Sequence, residues 1–130
     1  MRNKSKKAKA NILIVEDDVI LAKMLERKFL QSGYGVFTAQ NANEARILLK
    51  KTRIDAILLD IILPDEDGFS FLKELKSAKD FSKIPVLIVS NLGQKEEIEK
   101  GLKLGAVGYI VKADALPSDI LKKISSVLKL

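Results

Sequence analysis

The chain has 130 residues, 47% of them hydrophobic and 31% charged, which predicts one folded domain and excludes a collagenous or broadly disordered chain. It contains neither Cys nor His, so disulfides, thiolate or imidazole metal ligands, cysteine nucleophiles and Ser-His-Asp arrangements are excluded, and chemistry falls to carboxylates, lysines and hydroxyls. The formal charge of +6 is concentrated at one end: Arg2, Lys4, Lys6, Lys7 and Lys9 leave the other 120 residues with 18 basic and 17 acidic groups.

Residues 1–10 are read as a basic tail, with the domain proper over 11–130. Such a tail can meet phosphate or anionic lipid electrostatically; its plainer reading is a solvated, disordered leader, and no function is assigned to it. Asn11–Val15 is a short apolar run of strand character. It is too short for the apolar segment of a secretion signal, because Glu16, Asp17 and Asp18 follow at once. Leu21, Ala22, Leu25 and Phe29 recur at helical spacing, and Ser32-Gly33 ends that helix. Tyr34–Ala39 is mixed in polarity, as an edge strand is. Asn41 is a plausible N-cap for a helix with Ala42, Ala45 and Leu49 on one face.

Ala56–Leu59 forms the third strand pattern and ends at Asp60; Phe69 and Leu72 mark the third helix. Pro85–Val89 is the fourth strand and stops at Ser90-Asn91. Ile98 and Leu102 are expected to face the core from a fourth helix closed by Gly105. Gly108–Val111 and then Lys112 give the fifth strand and its end, and Pro117 suits the first turn of a helix with Ile120, Ile124 and Val127 inward. Strands that are continuously apolar, in strict alternation with helices, predict an α/β domain: a doubly wound (βα)5 sandwich with a five-stranded parallel sheet and right-handed crossovers. No run approaches the roughly 18 apolar residues of a spanning helix. Together with the lack of Cys, this predicts a soluble cytoplasmic protein.

In such folds ligands bind outside the carboxyl ends of the strands. There the sequence sets Glu16-Asp17-Asp18 and, from a distant segment, Asp60. At an effective dielectric of about 20 and roughly 5 Å, each like-charge pair costs about 3 kcal/mol, so the cluster calls for a cation. An all-oxygen set favours a hard metal, Mg2+ first, with Mn2+ or Ca2+ behind. Taken singly, Glu16 or Asp17 reads equally well as an acid stabilised by a helix N-terminus. Acids in place of a glycine-rich loop after the first strand speak against nucleotides, and carboxylates there would repel a flavin phosphate. Ser90 and Lys112 add a hydroxyl and an ammonium on the same rim. Carboxylate, cation, hydroxyl and ammonium are what a transferring phosphoryl group requires, with Asp60 able to become an aspartyl phosphate.

Four blocks, Ile12–Asp18, Leu58–Gly68, Pro85–Ser90 and Gly105–Lys112, resemble in order and spacing the response-regulator receiver domains of two-component signalling, a flavodoxin-like topology. The resemblance spans about residues 10 to 130. It implies that Asp60 is the phosphoacceptor and that Glu16, through water, Asp17, Asp60 and the backbone carbonyl of Ile62 hold Mg2+. It further implies that Ser90 and Lys112 contact the phosphoryl group, and that Tyr109 is an aromatic switch that turns inward when Ser90 moves. The readout surface it implies is the fourth helix, fifth strand and fifth helix, about Gln94 to Leu128. The exposed charges there read equally well as a solvated face.

Two departures stand out. Ala113 follows Lys112 where the family usually has Pro, so the following loop is expected to be trans and more mobile. Asn91 and Ile62, larger or more apolar than most members carry, flank the path of a hydrolytic water and are expected to slow dephosphorylation. Ile62 also stands where an independent aspartyl-phosphate hydrolase needs a second acid, so turnover of an external substrate is not expected. With no His, the phosphoryl group is expected from a separate histidine kinase, a phosphotransfer protein or a small donor. No output module follows, which predicts either a single-domain regulator docking on a target protein or a piece of a longer one, without membrane insertion or direct DNA binding, as a monomer or a phosphorylation-dependent dimer. The competing reading is a receiver-like interaction module independent of phosphorylation.

Overall fold

The structure is a computed structural model that describes residues 8–130. Arg2, Lys4, Lys6 and Lys7 of the expected tail lie outside the described residues. Lys9 is joined to the domain: its amide donates to the Gly33 carbonyl at 2.9 Å, and its ammonium stands 5.4 Å from the Tyr34 ring centroid.

Five strands alternate with five helices: β1 Asn11–Val15, α1 Val19–Gln31, β2 Gly35–Ala39, α2 Ala42–Lys51, β3 Ala56–Leu59, α3 Gly68–Ser77, β4 Val86–Ser90, α4 Lys95–Lys103, β5 Gly108–Val111 and α5 Pro117–Leu128. The sheet order is β2-β1-β3-β4-β5, and every pairing is parallel. Because successive strand side chains point to opposite faces, the central strands divide between two cores. Leu13, Val15, Ile57, Leu59, Val86 and Ile88 pack with α2 and α3. Ile12, Ile14, Leu58, Leu87 and Val89 pack with Leu25 and Phe29 of α1 and Ile120 and Ile124 of α5. Both faces of β1, β3 and β4 are covered, which accounts for their unbroken apolar sequence, whereas β2 at one edge is mostly half-buried.

Helix starts follow local chemistry. Asp18 accepts from the Ile20 and Leu21 amides at 3.1 and 3.2 Å, Asn41 from Glu44 at 2.8 Å and Asp67 from Phe69 at 3.1 Å, each supplying an acceptor that a first helical turn lacks. All described peptide bonds are trans, including the one from Lys112 to Ala113, where β5 runs into a single 3-10 turn, Lys112–Asp114.

The fourth helix departs from expectation. Ile98 is half-buried and Leu102 is 46% exposed; the residue that α4 buries is Gly101. A Cβ there would lie 2.6 Å from Ile88 Cδ1 and 3.0 Å from Tyr109 Cδ2, so the helix backbone rests directly on β4 and β5 and rotates Leu102 outward. Hydrophobic periodicity cannot register a contact made by backbone.

A closer approach occurs at Gly68, where an added Cβ would meet Ile61 Cα at 2.4 Å and its carbonyl oxygen at 2.5 Å. Backbone cannot swing aside as a side chain does. Gly68→Ala is expected to destabilise the fold by up to about 3 kcal/mol, read as a lower urea midpoint at unchanged slope.

Candidate functional site

The sheet order reverses beside β1, so the crevice between the carboxyl ends of β1 and β3 is the switch point of the fold. Val15 pairs with Leu59, and the Asp60 amide donates to the Val15 carbonyl at 3.1 Å. The next residues, Glu16 and Asp60, thus leave neighbouring strands side by side. Carboxylate oxygens of Glu16, Asp17 and Asp60 lie within 4.8 Å of one another; Glu16 and Asp60 are buried and Asp17 is exposed. Asp18, the remaining acid of the run, faces its own helix as the α1 cap. The helix-terminus role weighed for Glu16 or Asp17 therefore falls to their neighbour.

Ser90 ends β4 opposite Val111 of β5, and Lys112 follows Val111, which brings both to the same rim. The Lys112 ammonium bonds Asp60 Oδ2 at 2.6 Å and Glu16 Oε1 at 2.7 Å. Glu16 Oε2 accepts from the Asp18 amide and Asp60 Oδ1 from the Ile62 amide, both at 3.0 Å. Burial pushes the Glu16 carboxyl up to about 7, against the opposing bonds from Lys112 and the Asp18 amide, with the nearby Asp60 charge adding to the rise. Desolvation pulls Lys112 down, but its bonds to Asp60 and Glu16 outweigh this and hold the ammonium above its ordinary value.

Ser90 is fully buried, and its Oγ accepts from the Leu92 amide at 3.3 Å. The Tyr109 hydroxyl donates to the carbonyl of that same Leu92. Burial, followed by the Glu97 charge, raises the Tyr109 hydroxyl above its usual pKa. Asn91 and Ile62 are exposed at the rim, Ile62 by 53%.

Sequence reasoning missed the polar contacts that join the β3–α3 loop to α2. Asp65 accepts from the Ala42 and Asn43 amides of α2, both at 3.0 Å. Desolvation acts to raise its pKa, but these two amides, its own backbone amide and the Arg46 charge together outweigh it, so the carboxyl sits below its usual value. Arg46 of α2 bonds Glu66 at 2.7 Å and Glu74 at 2.7 Å, with its guanidinium 5.2 Å from the Phe71 ring centroid. These partners are 20 or more residues apart in the chain, and no local spacing marks them. Leu92, linking Ser90 to Tyr109 through backbone groups, left no side-chain signal either.

Residues 12–125 match the response regulator receiver domain family, and the chain belongs to that family. Over 121 residues it is 33% identical to the probable transcriptional regulator ycf27 of Porphyra purpurea, covering 93% of this chain and 48% of that protein. To the probable transcriptional regulatory protein SilR of Salmonella typhimurium it is 36% identical over 118 residues, 91% of this chain and 50% of that one. The chain spans about half the length of these curated relatives. Among solved structures, the chemotaxis response regulator CheY4 of Vibrio cholerae superposes with a TM-score of 0.83 at 30% identity, covering 91% of this chain and 98% of that one. A chain of the CheX-CheY-BeF3-Mg+2 complex from Borrelia burgdorferi gives 0.84 at 30% identity, covering 97% and 94%. The expected receiver family and flavodoxin-like fold are thereby established. Among the described residues, no helix is long and apolar enough to cross a membrane.

Removing the one ammonium between two buried carboxylates leaves both uncompensated. Lys112→Met in the presence of a chelator is expected to cost about 3 kcal/mol above neutral pH. The loss should shrink at mildly acidic pH: without Lys112 the already raised Glu16 pKa rises further, so the penalty grows as pH climbs from the unfolded value through the folded one. Urea denaturation of both proteins across this range checks the sign and the size.

Proposed function

We propose that the chain is a phosphoacceptor switch in a two-component phosphorelay, in which Asp60 takes up a phosphoryl group with the help of a divalent cation and the added charge alters protein binding. The observation that carries this reading is the convergence of Glu16, Asp17 and Asp60 within 4.8 Å, with the Lys112 ammonium bonded to two of them. An all-oxygen donor set suits Mg2+, with Mn2+ second. Asp17, Asp60, the Ile62 carbonyl and, through water, Glu16 would hold the ion; when bound, it neutralises charge on the transferring group. The likeness to a chain from a complex that holds BeF3 and Mg+2 supports this.

In the transfer, an Asp60 carboxylate oxygen attacks phosphorus in line with the donor's leaving group. A P–O bond to Asp60 forms as the donor's P–N or P–O bond breaks, and the leaving group keeps the electron pair and takes a proton from solvent. The donor is a phosphohistidine of a sensor kinase or phosphotransfer protein, or a small phosphodonor. Lys112 meets the added negative charge, and the Ser90 hydroxyl donates to a phosphoryl oxygen. In hydrolysis, water attacks phosphorus, the Asp60 P–O bond breaks to return the free carboxylate, and inorganic phosphate leaves; no external substrate is turned over.

The signal then travels through Leu92. Because Leu92 donates its amide to Ser90 Oγ and accepts from the Tyr109 hydroxyl, a movement of Ser90 toward the phosphoryl group disturbs the hold on Tyr109. Tyr109 lies against Gly101, the buried point of α4, so a change in how its ring is held reshapes the α4–β5–α5 surface. A differential of about 5.5 kcal/mol carries a two-state equilibrium from 1:99 to 99:1, within reach of a few charge-assisted contacts. The target is a protein; the nearly balanced charge beyond the basic tail gives no footprint for direct DNA binding.

Intact mass after incubation with a small phosphodonor tests the chemistry. Wild type is expected to gain one phosphoryl group only with Mg2+, and Asp60→Asn to gain none. No gain in wild type, with a candidate kinase as well as the small donor, would overturn the reading in favour of a phosphorylation-independent interaction module.

The rim residues bear on lifetime. With Asn91 and Ile62 screening the path of attacking water, Asn91→Ala and Ile62→Asn should each shorten the phosphoprotein half-life several-fold once donor is removed. Unchanged half-lives would sink that role for the two side chains.

A further inference from the structure

We propose that Asp65 is a positioning residue for cation binding and phosphotransfer at Asp60, stapling the loop that carries Asp60 and Ile62 to the first turn of α2. The inference rests on the phosphoacceptor reading above and deepens it.

The loop between β3 and α3 has two kinds of restraint. Its base is tied by bonds within the loop: Ile62 donates to Asp60 Oδ1 at 3.0 Å, Gly68 donates to the Ile61 carbonyl at 2.9 Å, and Ile62 bridges to Asp67. Its tip is held by side chains reaching to α2. Asp65 receives the Ala42 and Asn43 amides, and Glu66 receives Arg46 Nη2 through both carboxylate oxygens, at 2.7 and 2.8 Å. Amides at a helix start lack intrahelical acceptors and favour negative charge, so the contact is directional and charge-assisted at the loop end.

The far side of the staple is itself fixed. α2 follows β2, whose last residue, Ala39, accepts from the Glu16 amide at 2.9 Å. The α2 start is closed independently by Asn41, which accepts from Glu44, while Glu44 reaches back to the Gln40 amide at 2.9 Å. Asp65 therefore connects the β3 side of the acidic pocket to a segment anchored beside Glu16 on the β1 side. A cation held jointly by Glu16, Asp17, Asp60 and the Ile62 carbonyl needs those two sides at fixed separation, and outer contacts of this kind set metal affinity and transfer rate.

The test separates positioning from stability. Mg2+ binding is followed by calorimetric titration, and the initial phosphorylation rate is measured with a small phosphodonor at subsaturating Mg2+. Asp65→Ala is expected to weaken Mg2+ binding about tenfold and to slow phosphorylation in proportion, with saturating Mg2+ restoring most of the rate. Asp65→Asn, whose carboxamide oxygen still accepts an amide bond, should fall between the two. Asn41→Ala, which removes the helix's own cap without touching the loop, should lower thermal stability and weaken Mg2+ binding far less than Asp65→Ala does. Wild-type affinity and rate in Asp65→Ala would overturn the inference, as would an equal loss of affinity in Asn41→Ala, which would trace the effect to fraying of α2. If wild type is phosphorylated and Asp65→Ala is indifferent, only the positioning role falls. If wild type neither binds Mg2+ nor takes up a phosphoryl group, the phosphoacceptor reading falls and takes this inference with it.

Discussion

Two carboxylates buried side by side at the ends of β1 and β3, with one ammonium between them, are the constraint around which this domain is arranged. Glu16 and Asp60 cannot ionise together in so dry a place without compensation, and Lys112 provides only part of it. The elevated proton affinity of Glu16 reflects its burial first, with the neighbouring Asp60 charge adding to it. A divalent cation or a proton relieves the shortage. In the proposed function, a phosphoryl group on Asp60 would add negative charge to the same pocket. The pocket is poised because its charge is unbalanced, and the strands that create it are too well covered on both faces to move apart in response.

In the proposed switch, the response is directed into loops and helices. On the β4 and β5 side, the route runs from Ser90 through the backbone of Leu92 to Tyr109, and from there to the place where α4 lies on the sheet with only Gly101 between. On the β3 side, Asp65 and the Arg46–Glu66 pair bind the loop to α2 and resist motion. One side of the pocket is stapled and the other is linked through a chain of single hydrogen bonds. That asymmetry supports the proposed movement toward α4, β5 and α5 over movement toward α2 and α3.

Much of the fold was legible because a parallel sheet covered on both faces demands unbroken apolar strands, and this chain has them at Ile12–Val15, Ala56–Leu59 and Val86–Val89. The edge strand β2 was legible for the opposite reason: one side of it is poorly covered, and its sequence is mixed. The rim could be read because Glu16, Asp60 and Lys112 immediately follow strands and Ser90 ends one, so the element boundaries locate them. The fourth helix was misjudged at Leu102 because its core contact is a glycine. Asp65, Arg46 and Leu92 were missed because their partners are remote in sequence, or because the groups that matter are backbone amides and carbonyls that every residue carries.

What the sequence alone determined is the alternation of buried strands and amphipathic helices, and the identity of the residues at the strand ends. These are local properties, set by side-chain polarity and spacing along the chain. The tertiary structure decided which of those residues share charge: that Lys112 bridges Glu16 and Asp60, that Asp18 turns away to cap its own helix, and that Asp65 ties one loop to another segment's amides. Such choices depend on distances across the sheet, where electrostatic energy varies steeply with separation and burial, and neither quantity is written in the order of residues.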